Sequence, residues 1–279
     1  LLEESNFFNK LPFYPDDDQV GYELGRFIPS LLFTYSLIKD DFNDSEKERV
    51  LKMFRNLLYR NMHSWRPNDV GPRSVHSNHG MMYTNLALLT SILLDDDKLF
   101  RTSVKWFKKI MLYNTTDTGF MKMDGQRGQC SIHYNLHGLV PLLSILWNLK
   151  LQGYDLTQEK LTHSHNLDEI VYAMLKMVLN PHELKDFHKK YKGNYAKNSC
   201  LSWMNDKKKE KFYDKELNVV MPYHSTGWIY LYKKISGNQS NIDLFYQSKF
   251  LTQDFSLNRN PPGLGDNNTI GALPHLIFR

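Results

Sequence analysis

Apolar residues in this chain recur at spacings of three to five through one block after another and almost nowhere alternate, so the sequence has to be read as packed helices. From about Gln19, Tyr22, Phe27, Leu31, Thr34 and Leu37 mark a first helix, which Pro29 is placed to kink. A second runs from about Ser45 to about Trp65 with the stripe Val50, Met53, Phe54, Leu57 and Leu58, and Ser45 and Glu48 stand at capping-box spacing. After a polar loop containing Pro67, Gly71 and Pro72, a third helix starts near Ser77, carries Met82, Leu86, Leu89 and Leu93, and ends at the acidic run 95–97. The fourth, about Lys98 to Tyr113, is amphipathic with a basic, solvated face.

The fifth begins within the stretch 124–138, continues through Leu139, Leu142, Ile145 and Leu149, and is stopped by Gly153. Another covers about Leu167 to Leu179, closed by Asn180 and Pro181; residues 185–215 are Lys-rich and weakly periodic and read as a long loop. The last clear helix spans about Tyr223 to Ile235, and the tail holds the turn run NPPGLGDNN. Helix pairs recur every roughly 40–55 residues without repeating any sequence, the pattern of stacked helical hairpins. The expected architecture is one all-α domain over 1–279, an incomplete (α/α) toroid of antiparallel helix pairs.

Charge and cysteine content narrow the function classes. Lys and Arg total 35 against 30 Asp and Glu, a net +5 that favours an anionic partner. The basic residues are dispersed apart from 207–209 and no nucleic-acid motif accompanies them, so nucleic acid is not the expected partner. No apolar run approaches the roughly 20 residues that cross a bilayer, so membrane insertion is not expected either. The two cysteines, Cys130 and Cys200, do not make a disulfide scaffold; they can form one bridge or remain two thiols. Asn43, Asn114, Asn238 and Asn267 open Asn-x-Ser/Thr triplets, which matter only in a eukaryotic secretory pathway.

The chemistry concentrates in two stretches. HSNHG at 76–80 and DGQRGQCSIHYNLHG at 124–138 place an Asn-His pair, an Arg and a Tyr at the starts of two apolar helices. Arg127 and Tyr134 are seven residues apart, two helical turns, or Arg127 sits at or just before the helix start among its neighbouring glycines. Each residue alone has an ordinary structural reading: a loop anchor, a half-buried aromatic, a helix cap, a first-turn histidine. Together they suit abstraction of a proton next to a carboxylate, because Arg, a neutral amide and an imidazole can stabilise the developing enolate. A tyrosine is a poor base at neutral pH unless a nearby guanidinium lowers its pKa.

These residues resemble the alginate lyase family of the helical-toroid type. The shared pattern is Ser77-Asn78-His79, then Arg127, six residues and Tyr134, followed by an apolar, Pro-containing helix ending in Gln152-Gly153-Tyr154-Asp155-Leu156. Leu201-Ser202-Trp203 and Met221-Pro222-Tyr223 echo a Trp and a Pro-Tyr in the same order, and the resemblance covers roughly residues 20 to 235. It implies a polysaccharide lyase acting by β-elimination without a cofactor, in which Asn78, His79 and Arg127 neutralise the uronate carboxylate and Tyr134 transfers the proton. Against the family pattern, part of the N-terminal region that supplies a lid is expected to be missing from this sequence, and the Lys-rich segment at 185–215 is a second departure.

If Tyr134 both takes the C5 proton and returns one to the departing O4, the two must lie on the same side of the ring. That holds for β-D-mannuronate and β-D-glucuronate, so alginate or polymannuronate is expected first and polyglucuronate next. Were His79 the base, with Tyr134 the acid on the opposite face, guluronate or iduronate would open up. Further cleft candidates are Tyr22 and Arg26 on the first helix, Trp65, Arg73 and His76 before the third, and His133, Asn135 and His137 around the Tyr. Tyr223, His224 and Trp228 open the last clear helix, where aromatic faces can stack on sugar rings.

The competing readings are a non-catalytic anionic-polysaccharide binder, a glycoside hydrolase on a similar toroid, and a metal enzyme. The hydrolase needs two carboxylates flanking the bond, and only Asp124 stands out near the central stretch. The metal reading rests on His133/His137 at i, i+4 and His76/His79 at i, i+3, with no acidic residue between them as in HExxH. The protein is expected to be a monomer in the periplasm or outside the cell, where such substrates are found. No export signal is visible in the sequence, so any such signal has been removed or lies outside it.

Overall fold

The computed structural model describes residues 18–62, 77–191, 213–216, 219–221 and 227–256. They form helices α1 (Asp18–Ile38), α2 (Asp44–Met62), α3 (Asn78–Leu94), α4 (Asp97–Asn114), a single turn α5 (Lys122–Gly125), α6 (Ser131–Leu151), α7 (Leu167–Leu179), α8 (Leu184–Tyr191), α9 (Trp228–Ile235), α10 (Gln239–Gln247) and α11 (Lys249–Ser256). The one sheet among the described residues is a two-residue antiparallel pair, β1 (Tyr213–Asp214) with β2 (Val219–Val220).

Two helices organise the rest. From Asn78 to Leu88, α3 is buried at every residue except His79, and α6 is buried without a break from Ser131 to Leu146. A helix that is apolar on all sides has no face to give to water and must be wrapped. Accordingly α3 packs against α1, α2, α4 and α6, while α6 packs against α3, α5, α7, α9 and β2. Only Asp95 and Asp96 separate α3 from α4, so the two run antiparallel; Asp95 takes a left-handed φ of 51° and the Asp96 side chain caps α4 by accepting from Leu99 N.

Several boundaries depart from the sequence reading for identifiable reasons. The second helix is capped by Asn43 and Glu46, each side chain accepting from the other's backbone N–H at 3.0 and 2.9 Å, not by Ser45 and Glu48. The buried stripe of α1 is Ile28, Leu32 and Tyr35, one position along from the expected one, so Phe27 and Leu37 stand 47% and 69% exposed. Pro29 and Pro141 lie inside α1 and α6 without dividing them. The expected loop at 185–215 opens instead with α8, whose Leu184, Phe187 and His188 are buried at helical spacing despite the surrounding lysines. Beyond Ile235 the chain adds α10 and α11, which the sequence reading missed; α10 is tied back to α7 because Asn238, Asn241, Ser236 and Tyr232 all donate to Asp168.

Candidate active site

Both central helices begin at the same place, and a buried carboxylate brings them there. Asn78, the first residue of α3, donates its backbone N–H to Asp124 Oδ2 at 3.0 Å and its side-chain Nδ2 to Asp124 Oδ1 at 2.6 Å. Asp124 lies on α5, a few residues before the start of α6. Gly138 of α6 packs closely here: a Cβ there would lie 3.1 Å from Met121 Sδ and in ordinary contact, 3.7 Å, with Asn78 Cβ. Ser77 caps α3 through His79 N at 3.3 Å, which sets His79 in the first turn.

Arg127 precedes α6 rather than lying on it. A short 3-10 turn, Gly128–Cys130, intervenes, with Gly128 at a φ of 58°, and this folds the Arg127 side chain back over the helix. Its guanidinium carbon sits 4.0 Å from the centroid of the Tyr134 ring, a cation–π stack. Cys130, inside that turn, is disulfide-bonded and completely buried; the sequence holds one other cysteine, Cys200, which lies outside the described residues. The turn packs against β2.

A second set of contacts, unseen in the sequence, fixes the approach to α6. His188 Nε2 of α8 lies 2.9 Å from Ser131 Oγ and 2.8 Å from Gly125 O, and Ser131 Oγ also donates to Gly125 O and Gly128 O at 2.7 and 2.6 Å. Gln126 Nε2 donates to Tyr191 O at 2.5 Å, and Phe187 stands edge-on to Phe120 at 5.1 Å. Gly125 leaves the room this needs, since a Cβ there would come within 2.6 Å of Phe187. The amphipathic spacing of α8 was the available signal, hidden by its lysines.

The electrostatics give the imidazole and the carboxylate distinct states. Burial, then the positive charge of Arg127 and the neighbouring His137, lowers His79 from 6.5 to about 3. His79 is therefore a neutral donor or acceptor and a weak base. Its ring resonances are expected to stay still from about pH 8 to about pH 5, where an ordinary histidine moves; a midpoint near 6.5 in an NMR titration would contradict this. Burial raises Asp124 to about 6 against the pull of Arg127, Asn78 and Asn114.

Asn78, His79, Arg127 and Tyr134 thus come together at one end of α3 and α6. His133 and His137 are buried beside them, His133 edge-on to Tyr134 at 5.2 Å and stacked on His137 at 6.1 Å. Arg26 is half-buried on α1, next to Gly25, which packs on Met82 one turn into α3. Asn135 and Trp228 are placed otherwise. Asn135 is fully buried and spends its amide on the backbone, accepting from Met121 N at 2.7 Å and donating to Met121 O and Ser131 O, so it clips the chain before α5 to α6. Trp228 is a core residue with no exposed face, edge-on to Phe245 at 5.3 Å, and offers no platform to a sugar. The side chain of Tyr22 and the whole of Trp65, Arg73, His76, Tyr223 and His224 lie outside the described residues. Among the described residues no three His, Cys, Asp or Glu side chains are grouped to hold a metal ion.

The family model for alginate lyases matches residues 27–184, more than half of the chain and the part that contains all four of these residues. A polysaccharide lyase of Stenotrophomonas maltophilia (strain K279a) is 22% identical over 166 residues, 60% of this chain and 48% of that protein. Alginate lyase A1-III from Sphingomonas species A1 superposes with a TM-score of 0.64 at 19% identity over 85% of this chain and 60% of its own. A variant of A1-III in complex with a tetrasaccharide gives 0.62 at 18% over 82% and 59%. The chain thus spans about half the length of the curated relative and about three-fifths of the solved lyase. At these identities the structural likeness carries the fold, which is the helical (α/α) toroid type. With the family model covering the α3 start, the Arg127 turn and the whole of α6, the chain belongs to the alginate lyase family.

Proposed function

We propose that this protein is a polysaccharide lyase that cleaves a uronate polymer by β-elimination, with the chain acting as one helical domain. Asn78, His79 and Arg127 neutralise the substrate carboxylate, which lets the C5 proton leave; Tyr134 takes that proton and returns one to O4 as the glycosidic bond breaks, leaving a C4–C5 double bond. The observation that carries this reading is the Arg127 guanidinium stacked 4.0 Å over the Tyr134 ring beside the Asn78–His79 start of α3. The stack supports this reading because it keeps a fixed positive charge against the ring on which negative charge would develop.

The state of His79 favours one stereochemistry. An imidazole lowered to about 3 has little basicity to offer a carbon acid, so Tyr134 serves as both base and acid, which requires C5–H and O4 on the same face. Polymannuronate is the substrate we infer first and polyglucuronate second. The mechanism draws on this chain's side chains and calls for no cofactor. Placement in the periplasm or outside the cell follows from where such polymers occur; no helix among the described residues is long and apolar enough to cross a membrane.

Purified protein is expected to raise the ultraviolet absorbance of polymannuronate, with smaller or no change on polyguluronate, polyglucuronate and hyaluronan. New reducing ends without ultraviolet absorbance would point to hydrolysis. Binding to one polymer with neither signal would make the protein a non-catalytic binder.

A further inference from the structure

Asp124 is a carboxylate that no step of the elimination uses, yet it is completely buried at the junction of α3 and α6. It receives both the backbone N–H and the side-chain Nδ2 of Asn78, a residue 46 positions away in sequence. An ionised carboxylate has only acceptors, so it compels the Asn78 amide to turn its nitrogen inward. Nothing else among the described residues fixes that rotation, because Asn78 Oδ1 has no hydrogen-bond partner there. A protonated Asp124 would carry a hydroxyl donor and accept the opposite rotation equally well.

We propose that Asp124 is a positioning residue of this active site: ionised, it holds the Asn78 amide with one N–H on itself and directs the other towards the substrate carboxylate, and protonated it lets the amide turn over. The kinetic consequence rests on the lyase reading; the coupling between Asp124 and Asn78 does not. Among the described residues, the groups facing Asp124 are few. Arg127, three residues on, is the charged one; Asn78 from α3 and Asn114 from α4 present neutral amides; α8 reaches the next residue, where His188 meets Gly125 O. With burial outweighing these, the Asp124 carboxyl is pushed up to about 6. His79, at about 3, does not titrate there.

A double-mutant cycle separates this role from mere structural support. Asp124→Asn keeps the shape and removes the charge; it is expected to lower kcat on polymannuronate about ten- to hundredfold in the native background, and by less than about threefold in an Asn78→Ala background. The native acid limb of kcat/KM near pH 6 should vanish in Asp124→Asn. Equal losses in both backgrounds would overturn the proposal. So would an unchanged acid limb. Independently of turnover, the side-chain amide resonances of Asn78 in nitrogen-15-labelled protein, assigned by their absence from Asn78→Ala, should shift with a midpoint of about 6. Amide resonances that stay still through that range would sink the coupling even if the enzyme is active. If no uronate polymer is cleaved, the lyase reading fails and the amide titration alone decides this one. That titration uses the native protein, so it also stands if Asp124→Asn does not fold.

Discussion

Replacing Tyr134 by Phe is expected to abolish turnover, with kcat falling by at least about 10³-fold, while affinity for the polymer stays within a few-fold. The substitution deletes one oxygen and leaves the rest of the site standing. The ring is 5% exposed in a helix buried on every side, and Phe fills the same volume. The Arg127 stack at 4.0 Å is on the ring face, which Phe retains. What disappears is the atom to which the proposed mechanism assigns the proton in both half-steps. His79, held neutral with a pKa of about 3, is too weak a base to replace it. Turnover followed by ultraviolet absorbance and affinity followed by calorimetry on the same oligomannuronate separate the two quantities. A variant that keeps more than about a tenth of native kcat would move the proton to another residue. One that loses affinity as steeply as turnover would make Tyr134 a binding residue.

The fold was legible in the sequence where the pattern had no competitor. The helix read over about Leu167 to Leu179, closed by Asn180 and Pro181, is found at those bounds, and the structure adds the reciprocal Asn166–Glu169 capping box at its start. For α3 and α6 the starts were readable but the reason for them was not: both helices are apolar on all sides, and periodicity cannot say which face meets which neighbour. The α1 stripe was misplaced by one because Phe27 and Leu37 were weighted by type although their positions face solvent. Segment α8 was passed over for its lysines, although Leu184, Phe187 and His188 had the right spacing.

Asn78, His79, Arg127 and Tyr134 are candidates by kind and order, and the structure gathers them at one end of α3 and α6, whereas in the sequence Asp124 stands out only as a lone carboxylate. Its bonds to Asn78 cross 46 residues, a pairing that no local spacing encodes. Asn135 and Trp228 have structural partners that residue type alone does not reveal. Asn135 adjoins Tyr134 in the sequence and Trp228 opens the last clear helix, and each has its contacts in the core: Asn135 with Met121 and Ser131, Trp228 with Phe245 and Tyr232. Residue type alone does not show that the Asn135 amide is committed to backbone groups or that Trp228 has no exposed face.

Arg127→Gln is the second change with a large expected effect, and its pH signature identifies how the loss arises. The guanidinium has two neighbours with opposite needs: the Tyr134 ring beneath it at 4.0 Å and the buried Asp124 carboxylate, whose charge it favours. Removing one donor of this kind typically costs about 10²–10³-fold in kcat, because stabilisation of the developing negative charge is lost where water cannot replace it. A further loss follows at Asp124. Burial raises that group to about 6 while Arg127 is the first of the influences holding it down, so removing Arg127 raises it further. A raised pKa means the carboxylate is protonated at higher pH. The acid limb of the residual activity should therefore move in the alkaline direction, and at neutral pH a larger share of the protein should carry a released Asn78 amide. Arg127→Lys preserves the charge but not the planar stack, so it should keep the native acid limb more nearly in place while still losing kcat. A limb that stays at its native position in Arg127→Gln would separate Arg127 from Asp124 and confine its role to the substrate. A limb that shifts in both variants alike would show that the planar stack, and not the charge, governs the carboxylate.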